Sequence, residues 1–279
     1  MTILSSVSRL FGRAKALSEP ARRWEQAYAA GGTPDSPRQT PSEAVVWAWE
    51  EMAKHNRPVR HAVDVGCGKG RNSLYLAAKG VEVTALDFAP GAIAQLKKAA
   101  EDNGLSDKIR ALVYDVTDGW PVEQHGMDLV VDAFCFKHII GREARMAYKQ
   151  SLVHALGIRG AYLISFASVG DGYYGRYIVE HNGDGSALAV DPATNLQSVL
   201  FTRDHVREFF APEFKLLEEK FTTEPGHVAG EKITRQTYAI LFERNPKSQG
   251  GGYGKITPES RVMKPRFYST FPTTDENEG

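Results

Sequence analysis

A glycine-rich turn between an apolar strand and a helix constrains the fold of this chain most strongly. Residues 61–72 read His-Ala-Val-Asp-Val-Gly-Cys-Gly-Lys-Gly-Arg-Asn, which predicts a buried strand, a tight turn and the start of a helix. The next apolar run, Val-Glu-Val-Thr-Ala-Leu, leads directly into Asp87. In doubly wound sheets such a turn holds one end of a bound nucleoside, and the acid holds the ribose. The alternative is a strand, turn and helix that bind nothing, because glycines are common in turns.

The spacing of the glycines distinguishes between kinds of nucleoside ligand. A dinucleotide fingerprint needs Gly or Ala at the third position of G-x-G-x-x-G, where helix and strand pack closely. Arg71 occupies that position here, and the third glycine, Gly70, comes one residue early. The resulting G-x-G-x-G turn, preceded by Asp64, resembles motif I of the class I S-adenosylmethionine (SAM) methyltransferases. The resemblance implies an enzyme that uses SAM and releases S-adenosylhomocysteine (SAH).

The composition fits one large α/β domain with additions. The chain has 279 residues, of which 42% are hydrophobic, and this is enough for a sizeable core. Lys and Arg together number 34, as do Asp and Glu, so we expect no nucleic-acid partner held by general electrostatics. No apolar run approaches the length of a membrane span. We therefore expect a cytoplasmic protein, a monomer or homodimer, that does not bind membranes.

The cysteines and acidic residues do not suggest a metal site. Cys67 and Cys135 are too few for a disulfide framework or a zinc site, and we expect both to be reduced thiols. Asp132 and Asp171 offer the oxygen ligands that magnesium prefers. No Asp-Asn pair follows the fifth predicted strand, as it does in catechol-type methyltransferases. We therefore predict no bound metal.

The order of predicted elements indicates an α/β protein with a Rossmann-like, doubly wound, seven-stranded and mostly parallel sheet. Strands are predicted over residues 61–65, 81–87, 109–114, 127–133, 161–167, 214–222 and 235–243, and helices over residues 42–56, 71–79, 90–103, 141–156 and 202–210. Residues 168–200 are rich in Gly, Asp, Asn and Tyr and show no clean period. A structureless stretch of this length in a compact domain is usually functional.

Three regions follow from this pattern. Residues 1–40 are predicted to form an N-terminal lid helix and cap segment, residues 41–244 the SAM-binding domain, and residues 245–279 a flexible tail. Within the domain, residues 168–200 are predicted to be an insert at the acceptor site. The apolar and basic residues of 1–18 suit either an amphipathic helix that packs on the domain or a targeting segment.

From residue 24 to residue 244 the chain resembles the tellurite-resistance and thiopurine S-methyltransferase branch of this class. The resemblance lies in residues 63–80, above all Arg71-Asn72-Ser73 and Leu76-Ala77, and upstream in Trp24-Glu-Gln-Ala-Tyr28 and Gly32-Thr-Pro34. It implies a sheet order of 3-2-1-4-5-7-6 with the last strand antiparallel. It also implies that an N-terminal segment folds over SAM, and that Gly66, Gly68, Asp87 and Asp115 bind SAM.

Physical chemistry predicts a role for individual residues on the cofactor side of the site. Amide groups of the turn and the following helix N-terminus favour the SAM carboxylate, and Asp87 can accept from both ribose hydroxyls. Asp115 either accepts from the adenine amino group, with Val116 against the ring, or caps the loop to Trp120. The candidate cofactor-binding residues are Trp24, Asp64, Gly66, Cys67, Gly68, Gly70, Asn72, Asp87, Phe88, Asp115, Val116, Asp132 and Phe134.

The acceptor side is predicted from the fourth strand and the insert. The Asn/Asp-Pro-Pro-aromatic motif of DNA-base and glutamine methyltransferases is replaced here by Asp-Ala-Phe-Cys, which argues against those substrates. His138 is either a general base or a packing and capping residue, and the tyrosines of the insert form either a lid or a surface loop. The candidate acceptor-side residues are Phe136, His138, Tyr173, Tyr174 and Arg176.

The favoured function is transfer of the SAM methyl group to a small molecule by in-line displacement. A soft acceptor such as a thiolate needs no base, whereas a hydroxyl or amine usually does, so the atom methylated stays open. Two alternatives remain: methylation of RNA or protein, and SAM binding without methyl transfer.

Overall fold

The structure is a computed structural model, and it describes residues 17–30, 40–228 and 230–245. Most of the predicted N-terminal helix, the Gly32-Thr-Pro34 segment and all but the first residue of the predicted tail lie outside the described residues. None of the helices in the described ranges is long and apolar enough to cross a membrane.

The elements alternate as the sequence predicts, and their bounds are as follows. The helices are α1 (Glu19–Ala29), α2 (Glu43–Lys54), α3 (Arg71–Ala78), α4 (Pro90–Asp102), α5 (Arg142–Ala155) and α6 (Arg203–Phe210). The strands are β1 (His61–Val65), β2 (Glu82–Asp87), β3 (Ile109–Val113), β4 (Met127–Ala133), β5 (Leu156–Ala167), β6 (Ile178–His181), β7 (Ala187–Val190), β8 (Gln197–Leu200), β9 (Phe214–Val228) and β10 (Glu231–Arg244).

The main sheet has the order β3-β2-β1-β4-β5-β10-β9, in which β1 to β5 run parallel and β10 runs antiparallel to both of its neighbours. With the insert left out, this is the predicted order 3-2-1-4-5-7-6, and the prediction is confirmed. Val65 at the end of β1 pairs with Leu86 in β2 and with Asp132 in β4. The segments that follow these three strands therefore leave the sheet at one edge.

Helices cover both faces of the sheet, so its central strands are apolar on both sides. Val63 and Val65 of β1 pack into the core on one face, whereas Ala62 packs into the core on the other. Leu129, Val130 and Val131 of β4 are likewise divided between the two cores, and all are fully buried.

Helix α1 is fixed to the edge of the sheet through Glu25. Both carboxylate oxygens of Glu25 accept from the amide of Gly91 in the first turn of α4, at 3.1 and 3.0 Å. A negative charge is favourable there because the helix dipole is positive at its N-terminus. The contact holds the face of α1 that carries Trp24 and Tyr28 over the carboxyl ends of the strands.

The insert differs from its prediction. Residues 168–200 were expected to lack regular structure, but they contain a short 3₁₀ turn (Tyr174–Tyr177) and an antiparallel sheet of β6, β7 and β8. These strands have four residues each, too few to show a hydrophobic period, and their stability comes from pairing and from a small apolar cluster beneath them. The insert is therefore an ordered subdomain.

Two further boundaries differ from prediction. Strand β5 begins five residues before the predicted start at 161, where Gly160 allows the backbone to approach Met127: a Cβ on Gly160 would lie 2.8 Å from the Met127 carbonyl oxygen. The β9–β10 hairpin is longer than predicted because the two strands pair with each other beyond the end of β5.

Candidate functional site

A cavity of about 720 Å³ lies at the carboxyl edge of the sheet, where it is open to α1 and to the insert. This is within the usual volume range of small-molecule sites. Its wall at the sheet edge consists of Trp24, Tyr28, Gly66, Cys67, Gly68, Asn72, Asp87, Phe88, Tyr114, Val116, Phe134, Cys135, Lys137, His138 and Tyr174. The cavity wall therefore combines residues at the ends of β1 to β4 with residues of α1, α3 and the insert.

The glycine turn is closely covered by side chains from other elements. Gly66 and Gly68 have φ angles of +63° and +54°, in the left-handed region that glycine adopts readily. A Cβ on Gly66 would lie 2.7 Å from Sγ of Cys135, and a Cβ on Gly68 would lie 2.8 Å from the hydroxyl oxygen of Tyr28. Glycine is required at both positions for this close packing.

Asp87 lies beside the turn and lines the cavity, as predicted. Its Oδ2 accepts from the amide of Gly68 and its Oδ1 from the amide of Ala89, both at 2.9 Å. Burial raises the pKa of Asp87 to about 6, although these two hydrogen bonds act in the opposite direction. The carboxylate is ionised at neutral pH and retains acceptor positions for hydroxyl groups.

The end of β3 contributes Tyr114 and Val116 to the cavity wall. Asp115, between them, does not line the cavity. Its Oδ1 accepts from the amide and the hydroxyl of Thr117 at 2.9 and 2.7 Å, and the Trp120 indole donates to the carbonyl of Val116. The arrangement matches the loop-capping role that the sequence left open for Asp115.

Asp64 and Gly70 support the turn from below and do not line the cavity. Asp64 is buried, accepts from the Ser73 hydroxyl at 2.6 Å, and has its pKa raised to about 7 by burial. Gly70 packs against α4: a Cβ there would lie 2.0 Å from Cδ1 of Leu96. Asn72 does line the cavity, and its side-chain oxygen accepts from the amide of Ser42 at 2.9 Å.

Asp132 shapes the segment after β4 and is not itself in the cavity wall. Its carboxylate accepts from the amides of Cys135 and Phe136, at 2.8 and 3.0 Å, and from the Tyr148 hydroxyl at 2.6 Å. Burial raises its pKa to about 6. These bonds fix a 3₁₀ turn (Phe136–His138), and the preceding Phe134 adopts a φ of +72°, which is rare for a bulky residue. Such strain is characteristic of functional sites.

Lys137 is a site residue that the sequence places after the fourth strand but to which the sequence analysis gives no role. Its side chain is fully buried, lines the cavity and places Nζ 3.3 Å from the centroid of the Tyr174 ring and 5.1 Å from that of Phe134. The signal in the sequence is a lysine within the otherwise apolar run Ala-Phe-Cys-Phe-Lys-His-Ile-Ile.

His138 lines the cavity, as predicted, and is oriented by the insert. Its Nδ1 lies 2.7 Å from the carbonyl oxygen of Gln197, and its ring meets the Trp24 ring edge-on at a centroid distance of 4.8 Å. Because a carbonyl oxygen can only accept, Nδ1 carries the proton in the neutral ring and the lone pair is on Nε2.

Of the predicted acceptor-side residues on the insert, one lines the cavity and two do not. Tyr174 lines the cavity, but Tyr173 donates its hydroxyl to Asp191 at 3.0 Å, and the exposed Arg176 pairs with Glu231 at 3.1 Å. The structure therefore does not bring Tyr173 and Arg176 to this cavity.

Phe136 is also placed away from the cavity, although the sequence predicted it on the acceptor side. It is 1% exposed and belongs to the aromatic core between the sheet and α6. Tyr28 and Tyr114 are lining residues absent from the predicted set. Tyr28 occurs one helical turn after Trp24, and this spacing places both on one face of α1.

The two carboxylates considered as metal ligands, Asp132 and Asp171, are each hydrogen-bonded to other groups of the protein. Asp171 accepts from the amides of Tyr173 and Tyr174 through Oδ1 and from Arg235 and the amide of Gln236 through Oδ2. Its role is to fix the turn that carries Tyr174. Among the described residues, Glu51, His55 and Glu218 bring three potential ligand atoms within 4.8 Å of one another, but they lie outside the cavity wall.

Burial governs the protonation of the two cysteine thiols. Both line the cavity, and burial raises the pKa of the Cys67 and Cys135 thiols well above the usual value. Both therefore stay protonated and pack as small apolar groups.

The known proteins that resemble this chain in sequence are methyltransferases, in agreement with the glycine turn and carboxylate of the site. Residues 62–158 match the protein family described as "Methyltransferase domain". Over 104 residues the chain is 32% identical to the 2-heptyl-1-hydroxyquinolin-4(1H)-one methyltransferase of Mycobacteroides abscessus, a match that covers 37% of this chain and 44% of that protein. Over 54 residues it is 43% identical to the probable SAM-dependent methyltransferase TehB of Haemophilus influenzae, which covers 19% of this chain and 18% of that protein.

A solved structure shows the same fold. The Burkholderia thailandensis 1,6-didemethyltoxoflavin-N1-methyltransferase, crystallised with 1,6-didemethyltoxoflavin and SAH, is similar with a TM-score of 0.58 and 18% identity, over 84% of this chain and 92% of that one. At this identity the similarity concerns the fold alone.

Residues 62–158 therefore form a methyltransferase domain, and the match to TehB agrees with the branch that the sequence resembles. The predicted fold and the predicted SAM cofactor are confirmed. The chain spans less than half the length of the curated relatives it matches.

Proposed function

We propose that this protein transfers the methyl group of SAM to a small-molecule acceptor. The observation that carries the proposal is one continuous cavity with two chemically different ends. Asp87 after β2 and Tyr114 and Val116 after β3 lie at one end, and Lys137, His138 and Tyr174 lie at the other, towards β4 and the insert. The glycine turn after β1 lies between the two ends. The names of two proteins with related sequence or fold specify small acceptors, a hydroxyquinolinone and a didemethyltoxoflavin, which supports this class of substrate.

The cofactor end of the cavity offers contacts for the ribose, the adenine and the methionyl carboxylate of SAM. Asp87 is placed to accept from the ribose hydroxyls, and Phe88, Tyr114 and Val116 offer apolar surface for adenine. The Gly66–Gly68 backbone and the N-terminus of α3 favour the carboxylate of the methionyl end. Burial, followed by the charge of Asp87, raises the pKa of Tyr28 well above its usual value, so its hydroxyl stays protonated and can donate.

The acceptor end offers a base. When bound, SAM supplies an electrophilic methyl group on a cationic sulfur. In this proposal His138 Nε2 takes the proton of an acceptor O–H or N–H as the acceptor atom bonds to the methyl carbon; the support is that His138 lines the cavity with Nδ1 directed to the Gln197 carbonyl. The electrons of the broken S–C bond return to sulfur, and the products are the methylated acceptor, SAH and a protonated His138.

Alignment supplies most of the remaining acceleration. An in-line displacement needs the acceptor atom held opposite the sulfur, and fixing two reactants in this way can contribute several kcal/mol, about 7 or more in favourable cases. Trp24 and Tyr28 on α1 and Tyr174 on the insert form a cover that holds both reactants and excludes water.

Calorimetric titration with SAH tests the cofactor half of the proposal. Asp87→Ala should weaken binding by more than about tenfold, since a buried charged hydrogen bond is worth about 1.5–3 kcal/mol. Asp102→Ala is the matched control, because Asp102 is exposed on α4 and, among the described residues, its carboxylate pairs with Lys98. If wild-type protein does not bind SAH, or if both variants bind alike, the cofactor assignment is wrong.

Labelled SAM identifies the acceptor class. Protein incubated with methyl-labelled SAM and cell extract should transfer label to small metabolites. Label found only in RNA or protein would favour a macromolecular substrate, and SAH binding without any transfer would favour a SAM-binding protein.

Once the acceptor is known, His138→Ala should lower kcat by about 10²–10⁴, with a smaller effect on SAH affinity. His181→Ala is the control, since His181 lies on β6 outside the cavity wall. An unchanged kcat in His138→Ala would mean that the acceptor reacts without this base.

A further inference from the structure

The described lining of the cavity has more basic than acidic side chains. Lys69 lies in the glycine turn, Arg71 begins α3, Lys137 follows β4, and Asp87 is the one carboxylate among the described lining residues. Asp87 follows β2 and Lys137 follows the turn after β4, and β1 lies between these strands. The negative charge therefore lies on the cofactor side of the glycine turn, and Lys137 on the acceptor side.

Lys137 is held in place rather than free to reach solvent. Asp132 fixes the backbone of its turn, and Cys135, two residues earlier, packs against the glycine turn. Its ammonium group lies over the face of Tyr174, whose own turn is fixed by Asp171. Two buried carboxylates on different segments thus determine where this charge lies.

A charge in this position discriminates between acceptors. Lys137 is fully buried, and charge–charge interactions are stronger in a buried site than in water because the dielectric constant is lower. The ammonium attracts an anionic oxygen and disfavours an acceptor that carries its own positive charge. The cationic sulfur of bound SAM adds to both effects.

We propose that Lys137 selects an acceptor that carries an anionic oxygen, either a carboxylate or an ionised acidic hydroxyl, on an apolar body that packs against Tyr174 and Phe134. This inference rests on the proposed function, because it takes the cavity beside the glycine turn to be the acceptor site. It adds the substrate class, and it makes Lys137 a specificity-determining residue.

The test compares two probes of nearly the same shape, one anionic and one neutral. The full chain is saturated with SAH and titrated by calorimetry with 2-naphthoate and with the neutral 2-naphthamide. Wild-type protein should bind the carboxylate at least about tenfold more tightly than the amide. Equal affinity, or failure of the carboxylate to bind, overturns the proposal without a need for any variant.

Variants then test whether Lys137 causes the preference for the carboxylate probe. Lys137→Met keeps the length of the side chain and should reduce the ratio of affinities to about threefold or less, whereas Lys137→Arg should keep a clear preference for the carboxylate. Lys54→Met is the control for net charge, because Lys54 is exposed on α2 and pairs with Glu51. A preference that survives in Lys137→Met contradicts the proposal.

The experiments distinguish a failure of this inference about Lys137 from a failure of the proposed function. Titration with SAH alone precedes the probes, and its failure on wild-type protein would count against the cofactor site. Normal SAH binding with no preference for the anionic probe would count only against the role of Lys137. A merely structural role for Lys137 would alter the unfolding of Lys137→Met but would not change the ratio of the two probes.

Discussion

The Nζ atom of Lys137 lies 3.3 Å from the centroid of the Tyr174 ring, and this contact joins the segment after β4 to the segment after β5. Each segment is shaped by one buried aspartate: Asp132 holds the amides around the first turn, and Asp171 holds those of the second. A cation over an aromatic ring contributes about 0.5–2 kcal/mol, more when it is desolvated. Two buried aspartates and one cation–π contact therefore hold both turns at this end of the cavity.

The attachment of α1 to α4 leads to the first prediction. Glu25→Ala removes the negative charge from the N-terminus of α4 and should loosen the helix that carries Trp24 and Tyr28. We expect SAH to bind about three- to tenfold more weakly, because such helix-dipole contacts are worth about 1 kcal/mol. Calorimetric titration with SAH measures the effect.

The control for this variant is Glu19→Ala on the same helix. Glu19 is exposed in the first turn of α1 and pairs, within the described part of the chain, with Arg23 one turn later, so its loss should leave SAH affinity nearly unchanged. Equal weakening by the two substitutions would mean that α1 acts through its general stability and not through its contact with α4.

The cofactor end of the site was predictable from sequence because its signals are local. The glycine turn, the strand before it and Asp87 lie within 27 residues, from His61 to Asp87, and the register of β1 with β2 brings them together. The same reasoning overreached for Asp64, Asp115 and Asp132. Asp64 and Asp132 lie one residue before the ends of β1 and β4, and Asp115 follows β3. Each accepts a hydrogen bond from a nearby amide or hydroxyl group and does not line the cavity.

The acceptor end was less predictable because its contacts are distant in sequence. The burial of Lys137 depends on Tyr174, which a separate insert supplies, and the orientation of His138 depends on Gln197. Tyr173 and Tyr174 are adjacent in sequence and were indistinguishable there. Only the fold directs one to the cavity and the other to Asp191.

Asp115→Ala distinguishes the two roles that the sequence allows for this residue. We expect SAH affinity to stay within about threefold of wild type, because the Asp115 carboxylate caps its own loop through Thr117 while Tyr114 and Val116 form the wall. The free energy of unfolding should fall by about 1 kcal/mol through the lost hydrogen bonds. A loss of SAH affinity above about tenfold would instead indicate a contact with adenine.

The raised pKa of Asp87 predicts a pH-dependent affinity for SAH. Above about pH 6 the carboxyl is ionised and accepts from the ribose hydroxyls, and below it protonation removes part of this acceptor capacity. The affinity for SAH should therefore fall as the pH is lowered from 7.5 to 5.5 through about 6. Asp87→Asn should bind SAH more weakly with little change over this range, and a dependence equal to that of wild type would assign the titration to another group.

The packing of Gly70 against Leu96 predicts a stability difference between two glycines with almost the same backbone conformation. Gly70 and Gly80 have φ angles of +84° and +89°, but a Cβ on Gly80 would meet nothing within 4 Å. Gly80→Ala should lower the free energy of unfolding by about 1 kcal/mol, the cost of a left-handed alanine. Gly70→Ala should lower it by about 2–4 kcal/mol, because the new methyl group also overpacks a buried contact with Leu96.

Urea denaturation of the single and double variants separates backbone strain from overpacking. Leu96→Ala removes the atoms that a Cβ on Gly70 would meet, so adding Gly70→Ala to it should cost only about the 1 kcal/mol seen at Gly80. If Gly70→Ala costs as much in the Leu96→Ala background as it does alone, the loss arises from the backbone of the turn, and the close approach of α3 to α4 is not the reason for this glycine.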